Sequence, residues 1–208
     1  MDPQRPFDAI VFDVYGTLVE IVDKRGPFRR LLRIGAHQGR PVAAGDAALL
    51  MSAPLGLDAA AQRLGIQLTQ EQYAALEKDL HDEIASIRAF PETASTLTAL
   101  RARGIKLGLC SNLAADYAAP IAALLPLQLD AYTWSFEAGA IKPDPAIYDR
   151  ACRTLDCAPG RVLMVGDTPA ADVDGPRACG MQSILLDRKQ GRADAGSLAS
   201  LAGLLDML

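Results

Sequence analysis

Apolar residues along this chain come in short solid runs, separated by longer stretches in which they recur every three or four positions. The runs are Ala9-Ile10-Val11-Phe12, Ile105 to Cys110, Tyr132 to Phe136, Arg161 to Val165 and Ser183 to Leu186. Such short runs predict strands, the Tyr132 to Phe136 run being the weakest of them. Periodic segments between them predict helices over 92–103, 113–125, 144–155, 170–179 and 197–207. Gly104 and Gly180 stand where two of those helices should stop. Strands alternating with helices predict an α/β fold with a Rossmann-like parallel-sheet core.

Residues 20–88 break the rhythm. No strand-like run occurs there, and Ala, Leu, Gln, Glu and Arg dominate. Phe28, Leu31 and Leu32 fall at i, i+3 and i+4, which predicts an amphipathic helix. Thr69 and Gln72 have capping-box spacing and predict a long helix running to about Ile87. Its apolar stripe is Tyr73, Leu76, Leu80, Ile84 and Ile87. The expected organisation is a core domain of residues 1–19 and 89–208, with a helical cap, 20–88, inserted after the first strand. A Gly- and Ala-rich tract spans about Gln190 to Gly196. Leu198, Leu201, Leu204 and Leu205 then form a last apolar stripe, suited to the core or to an interface between copies.

Composition narrows the function. The 208 residues are 50% hydrophobic and 22% charged, enough apolar material for a sizeable core and too little net charge for a disordered chain. A formal charge of −4 argues against nucleic acid or an anionic membrane as partner. Cys110, Cys152, Cys157 and Cys179 form no CxxC pair and no His/Cys cluster, so they read as buried thiols of a reducing, cytoplasmic compartment. No apolar run reaches the roughly 18 residues of a spanning helix, and the first residues lack the apolar core of a signal peptide.

The chemistry gathers at the strand ends. In an open parallel sheet the ligand sits outside the carboxyl ends of the strands. Here those ends carry Asp13, Ser111-Asn112 and Gly166-Asp167, with Lys142-Pro143 following the third run. Each has an ordinary structural use: Asp13 in a turn, Ser111-Asn112 or Asp167 as a helix cap, Lys142 in a solvated loop. Taken in order across one sheet, they supply nucleophile, hydroxyl, cation and second carboxylate, the equipment for attacking an electrophile and holding the resulting charge.

On these residues the chain resembles the haloacid dehalogenase (HAD) superfamily of hydrolases. The resemblance rests on Phe12-Asp13-Val14-Tyr15-Gly16-Thr17-Leu18, Cys110-Ser111-Asn112, Lys142-Pro143-Asp144-Pro145 and Val165-Gly166-Asp167-Thr168-Pro169-Ala170-Ala171-Asp172. The insert after strand one resembles the cap of subfamily I. The resemblance implies Asp13 as nucleophile, forming an aspartyl ester or aspartyl phosphate, with Thr17 part of the same motif. It implies that Ser111 and main-chain N–H groups near Asn112 bind the transferring group, and that Lys142 balances the charge. It also implies Mg²⁺ held by Asp13, Asp167 and the backbone carbonyl of Tyr15, with Asp172 orienting that shell.

Two motifs pull apart. Family phosphatases carry a second Asp two residues after the nucleophile to protonate the leaving group; here that position is Tyr15. Tyr15, and Tyr148 six residues after Lys142, resemble the L-2-haloacid dehalogenases, whose leaving halide needs no proton. The last motif points the other way, because dehalogenases resemble Ser-Ser-Asn there and use no metal, whereas this chain has Asp167 and Asp172. The expectation is a Mg²⁺-dependent phosphatase acting on a small phosphorylated metabolite, with a substrate whose leaving group needs little acid help. The alternatives are a metal-independent 2-haloacid dehalogenase using Asp13, and a catalytically weak ligand-binding relative. A phospho-accepting receiver is disfavoured because Asp13 follows the first strand. Arg25, Arg29, Arg30 and Arg33 form either an anion clamp or a solvated basic face. His37 and His81 are expected on the surface, and Cys110 packed. Monomer and homodimer both fit.

Overall fold

The computed structural model describes residues 6–188 and 196–207. The chain runs β1 (Ala9–Phe12), β2 (Val19–Ile21), α1 (Pro27–His37), α2 (Asp46–Met51), α3 (Leu57–Arg63), α4 (Gln70–Ala85) and β3 (Ile87–Ala89). It continues through α5 (Thr93–Ala102), β4 (Lys106–Ser111), α6 (Ile121–Leu124), β5 (Ala131–Trp134), α7 (Ser135–Ala138) and α8 (Pro145–Leu155). The last elements are β6 (Val162–Gly166), α9 (Gly175–Ala178), β7 (Gln182–Leu186) and β8 (Ser197–Leu198).

Six strands form one sheet in the order β5-β4-β1-β6-β7-β8, and each described pairing within it is parallel. The fold is α/β and Rossmann-like, as the alternation of runs and periodic segments predicts. β1 lies between β4 and β6, with Phe12 paired to Leu109 on one side and Val165 on the other. Chain direction therefore leaves the sheet in opposite senses on either side of β1, and Asp13, Ser111 and Asp167 emerge together at this switch point. Alternate residues serve the two faces. Ile10 and Phe12 pack with Leu97, Leu100 and Leu107, while Ala9 and Val11 pack with Ile147, Tyr148 and Met164.

The helices between β2 and β3 bury their own cluster, including Leu31, Leu50, Leu57, Leu76 and Leu80. α4 opens with the predicted capping box: Thr69 Oγ1 accepts from the Gln72 amide at 3.2 Å, and Gln72 Oε1 accepts from the Thr69 amide at 3.0 Å. It ends at Ala85, because Ile87 belongs to a strand. Residues 20–88 thus contain strand after all: β2 and β3 pair antiparallel, Ile21 opposite Ile87 and Val19 opposite Ala89. Three-residue strands 66 positions apart leave no readable alternation.

Other expected helices are shorter. The 113–125 segment is a 3₁₀ turn, Ala115–Tyr117, followed by α6; Pro120 between them has no N–H to continue a helix. The 170–179 segment is a π-helical turn, Pro169–Asp174, running into α9. In the C-terminal stretch, Ser197–Leu198 pairs with β7 and Leu201–Met207 is 3₁₀; Leu198, Leu201 and Leu204 are buried in the core. The third strand comes one residue earlier than its apolar run, and Ser135 and Phe136 start α7. Most of the Gly/Ala tract, residues 190–195, lies outside the described residues.

Candidate active site

Asp13 follows the last residue of β1, its amide donating to the Val165 carbonyl at 2.9 Å, so β6 fixes its backbone. The residue is 8% exposed. Oδ1 accepts from Ser111 Oγ at 3.0 Å and from Lys142 Nζ at 2.8 Å. Lys142, 4% exposed, also donates to Asp172 Oδ1 at 2.6 Å. Burial works against the charged ammonium, but the carboxylates of Asp13 and Asp172 outweigh it and hold the Lys142 pKa above the ordinary lysine value. Lys142 is a permanent cation here.

The loop carrying Lys142 is pinned from two sides. Asn112 Nδ2 donates to the Lys142 carbonyl at 2.9 Å, and Asn112 Oδ1 accepts from the Lys142 amide at 2.7 Å. The Asn112 side chain is thus a brace for this loop. Asp144 N-caps α8, its Oδ1 accepting from the Ala146 amide at 2.9 Å, with Pro145 in the first turn.

In the π-helical turn beyond β6, Asp172 is fully buried and both its oxygens are engaged. Oδ1 meets Lys142, and Oδ2 accepts from the Thr168 amide at 2.9 Å. A Cβ at Gly166 would overlap the Asp172 carboxylate, so glycine is what allows this approach. Asp167 is exposed at the mouth of the site and has no cationic partner among the described residues. Partial desolvation, then the negative charge of Asp13, raises its pKa. Asp172 is raised as well, first by burial, with Lys142 opposing and Asp13 reinforcing the shift.

Carboxylate oxygens of Asp13, Asp167 and Asp172 lie within 4.8 Å of one another. Lys142 bonds two of the three carboxylates, Asp13 and Asp172, and leaves Asp167 without an ion pair among the described residues; burial first, then the charge of Asp13, raises Asp167 and Asp172. Hard oxygen donors in such a cluster fit a small divalent cation. The turn after Asp13 adds a cradle: Gly16, at φ 91°, lies so close to Asp167 that any Cβ would overlap its carboxylate.

Tyr15 points away from this cluster. Its hydroxyl donates to the Tyr117 carbonyl at 2.7 Å, and the two rings meet edge-on with centroids 6.0 Å apart. Burial, followed by the charge of Glu83, raises its pKa. A hydroxyl so committed has no proton to offer a leaving group. Thr17 is fully buried, and its Oγ1 has no partner among the described residues.

Between the helical module and the sheet is a cavity of 440 Å³, lined by Tyr15, Phe28, Leu32, Leu50, Met51, Leu113 and Tyr117, with Asn112 and Arg29 among its polar residues. Of the four arginines in the module's first stretch, Arg29 is the one on this wall. Arg25 pairs with Asp23 at 2.8 Å and Asp82 at 3.0 Å, Arg30 pairs with Asp79 at 2.5 Å, and Arg33 is exposed. His37 and His81 are exposed. Cys110 is buried, its thiol pushed up to about 12 chiefly by desolvation, so it remains protonated.

Ser135 and Glu83 carry no sequence signal of their own, and Tyr148, singled out by its place six residues after Lys142, proves to be a support. Ser135 Oγ accepts from the Leu113 amide at 3.1 Å and steadies the chain beyond Ser111. Tyr148 donates to the Ala171 carbonyl at 2.6 Å, holding the π-helical turn before Asp172. Glu83, buried on α4, accepts from the Arg25 amide at 2.8 Å and the Gly26 amide at 2.5 Å at the entry to α1.

A parallel α/β sheet with a buried Asp–Ser–Lys centre and an acidic cluster at its switch point defines a class of hydrolases. The model of the haloacid dehalogenase-like hydrolase family matches residues 7–180, and the chain belongs to that family. A glyceraldehyde 3-phosphate phosphatase of Methanothermobacter thermautotrophicus is 32% identical over 114 residues, 54% of this chain and 50% of that protein. The chain thus matches only about half the length of that relative. The (S)-2-haloacid dehalogenase 1 of a Pseudomonas species is 28% identical over 204 residues, 90% of this chain and 86% of that protein. A HAD phosphatase structure from Thermococcus onnurineus superposes with a TM-score of 0.65 at 22% identity, covering 97% of each chain. The protein is a HAD-like hydrolase with both phosphatases and dehalogenases among its relatives.

Proposed function

We propose that this hydrolase is a Mg²⁺-dependent phosphatase of small phosphorylated metabolites, working through an aspartyl phosphate on Asp13. The observation that carries the reading is the trio Asp13, Asp167 and Asp172, whose carboxylate oxygens lie within 4.8 Å of one another while Lys142 bonds only Asp13 and Asp172. A haloacid site has no use for an uncompensated Asp167 beside an anionic substrate. Asp13, Asp167 and the Tyr15 carbonyl would hold the cation, with Asp172 orienting the loop. Bound Mg²⁺ would offset repulsion between the anionic nucleophile and an anionic phosphate.

Asp13 Oδ1, aligned by Ser111 and Lys142, attacks phosphorus, and the bond to the leaving oxygen breaks. Ser111 and Lys142 shift their hydrogen bonds to the transferring oxygens. Water then hydrolyses the aspartyl phosphate, releasing inorganic phosphate and restoring the carboxylate. With Tyr15 tied to Tyr117, the leaving oxygen takes its proton from solvent, which favours acyl and aryl phosphates. The helical module serves as a cap that excludes water and selects the leaving group. The apolar cavity with Arg29 on its wall suits an organic group bearing its own anion.

The test is phosphate release from p-nitrophenyl phosphate with Mg²⁺ and with EDTA, Asp13→Asn serving as the blank. Turnover that needs both Mg²⁺ and Asp13 is expected. Halide release from 2-chloropropionate, unaffected by EDTA, would instead establish the dehalogenase, a reading favoured by Tyr15 and the apolar cavity.

A further inference from the structure

Arg188, two residues beyond β7, makes contacts to several distant parts of the chain. Its Nε donates to the Gly16 carbonyl at 3.2 Å, Nη2 to the Thr17 carbonyl at 2.7 Å and Nη1 to Glu92 Oε1 at 2.6 Å. Its Cζ lies 3.7 Å from the centroid of the Phe90 ring. Glu92 Oε1 is itself steadied by Ser200 Oγ at 3.2 Å. Each guanidinium nitrogen is used, and the plane is stacked as well, a geometry lysine cannot reproduce.

The partners have something in common. Gly16 and Thr17 lie where the chain leaves Asp13 and enters β2, on its way into the helical module. Phe90 and Glu92 lie where it returns from β3 to α5. The two crossings already touch, because the Leu18 carbonyl accepts from the Phe90 amide at 3.1 Å and from Thr93 Oγ1 at 2.8 Å. Arg188 closes the ring from outside, across the neck of the module. The carbonyls it grips belong to the turn whose glycine cradles Asp167, and Arg188, Gly16 and Asp167 share the wall of a 620 Å³ cavity.

We propose that Arg188 is a positioning residue: it locks the Tyr15–Thr17 turn against both module crossings, and so sets the spacing between that turn and Asp167. It touches neither the nucleophile nor the transferring group. Its claim on cation binding rests on the phosphatase reading; its claim on the turn does not.

The experiment therefore has two arms, each on the full chain. Hydrogen exchange reads the turn directly, because the Leu18 and Val19 amides donate to the Val14 carbonyl at 2.8 and 3.0 Å. Arg188→Met should speed exchange of these amides and of Phe90 about tenfold, the scale expected from losing hydrogen bonds to a charged group. Arg188→Lys should fall between Met and wild type, and it serves alone if the Met variant fails to fold. Arg161→Met is the control: Arg161 pairs with Asp8 at 2.8 Å at the opposite ends of the strands, so its loss should leave those amides unchanged. Mg²⁺ titration calorimetry is the second arm, with Arg188→Met expected to weaken binding by about tenfold and Arg161→Met to leave it unaltered. Unchanged exchange in Arg188→Met, or equal acceleration in the control, overturns the proposal. If the wild type binds no Mg²⁺, the metal reading fails, and the exchange arm still decides the role of Arg188.

Discussion

Lys142 sits between the two carboxylates of Asp13 and Asp172 and donates to both, at 2.8 and 2.6 Å, so one buried cation fixes the nucleophile and the residue behind it together. The same environment leaves Asp167 uncompensated. Tyr15 is the residue at which family patterns disagree, and its hydrogen bond to the Tyr117 carbonyl assigns it to the wall between sheet and module. Tyr15→Phe should therefore cost only about 1 kcal/mol of stability, the net worth of a hydrogen bond, and leave kcat within a few-fold of wild type. A hundredfold fall in steady-state turnover would show that the hydroxyl does chemistry. Tyr15→Asp should raise turnover of alkyl phosphates relative to aryl phosphates, since general acids contribute roughly 10²–10⁴-fold where the leaving group is poor. Asp13, Ser111 and Asp167 were legible as polar residues at the ends of apolar strands, and Lys142 as a cation following the third run. The role of Asn112 was not, because a residue beside a strand end looks the same whether it faces substrate or braces a loop. Arg29 was equally hidden among four arginines until their partners were known.

Elements deliver these residues by ending where they do. The Gly16 turn brings the chain after β1 against Asp167, and a methyl group there would overlap that carboxylate while forcing φ 91° on an L residue. Gly16→Ala should abolish phosphate release and weaken Mg²⁺ binding in calorimetry, with a fold that circular dichroism still reports as native. In the helical module, the capping box of α4 is exposed and local. Thr69→Ala should lower stability by about 1 kcal/mol in urea unfolding, with KM and kcat unchanged, because the cap lies at the far end of α4 from Glu83. That box was readable because both partners lie three residues apart. The β2–β3 ladder was not, and neither were the broken helices after β4 and β6, where prolines at 120, 169 and 176 interrupt segments of otherwise helical composition.

For the whole molecule, the acidic cluster couples folding to pH and, on the proposed reading, to Mg²⁺. Asp167 has a raised pKa in the folded chain, so without metal its protonated form favours folding. That stabilisation is fully present below the ordinary carboxylate pKa and is lost as pH rises through the raised value. Above that value the metal-free protein carries a partly desolvated carboxylate at Asp167, close to Asp13. Asp167→Asn should melt higher than wild type in EDTA at pH 7, with the difference vanishing below about pH 4, where model carboxylates are protonated. Mg²⁺ should raise the Tm of wild type and have little effect on Asp167→Asn; equal shifts in scanning calorimetry would remove the cluster as the binding site.

From its sequence alone, the chain determined its α/β class, the helical stretch that follows the first strand, and the strand ends at which Asp13, Ser111 and Asp167 come together. These follow from local periodicity and from the rule that an open parallel sheet exposes its carboxyl ends at one edge. Only the tertiary structure decided that Tyr15 turns away from the acidic cluster, that Arg29 faces the cavity and that Arg188 spans the neck of the module. The physical reason is the same in each case. Those outcomes depend on partners up to 172 residues apart, and which of several chemically equivalent side chains meets a given carbonyl or cavity wall is set by packing, which no local pattern records.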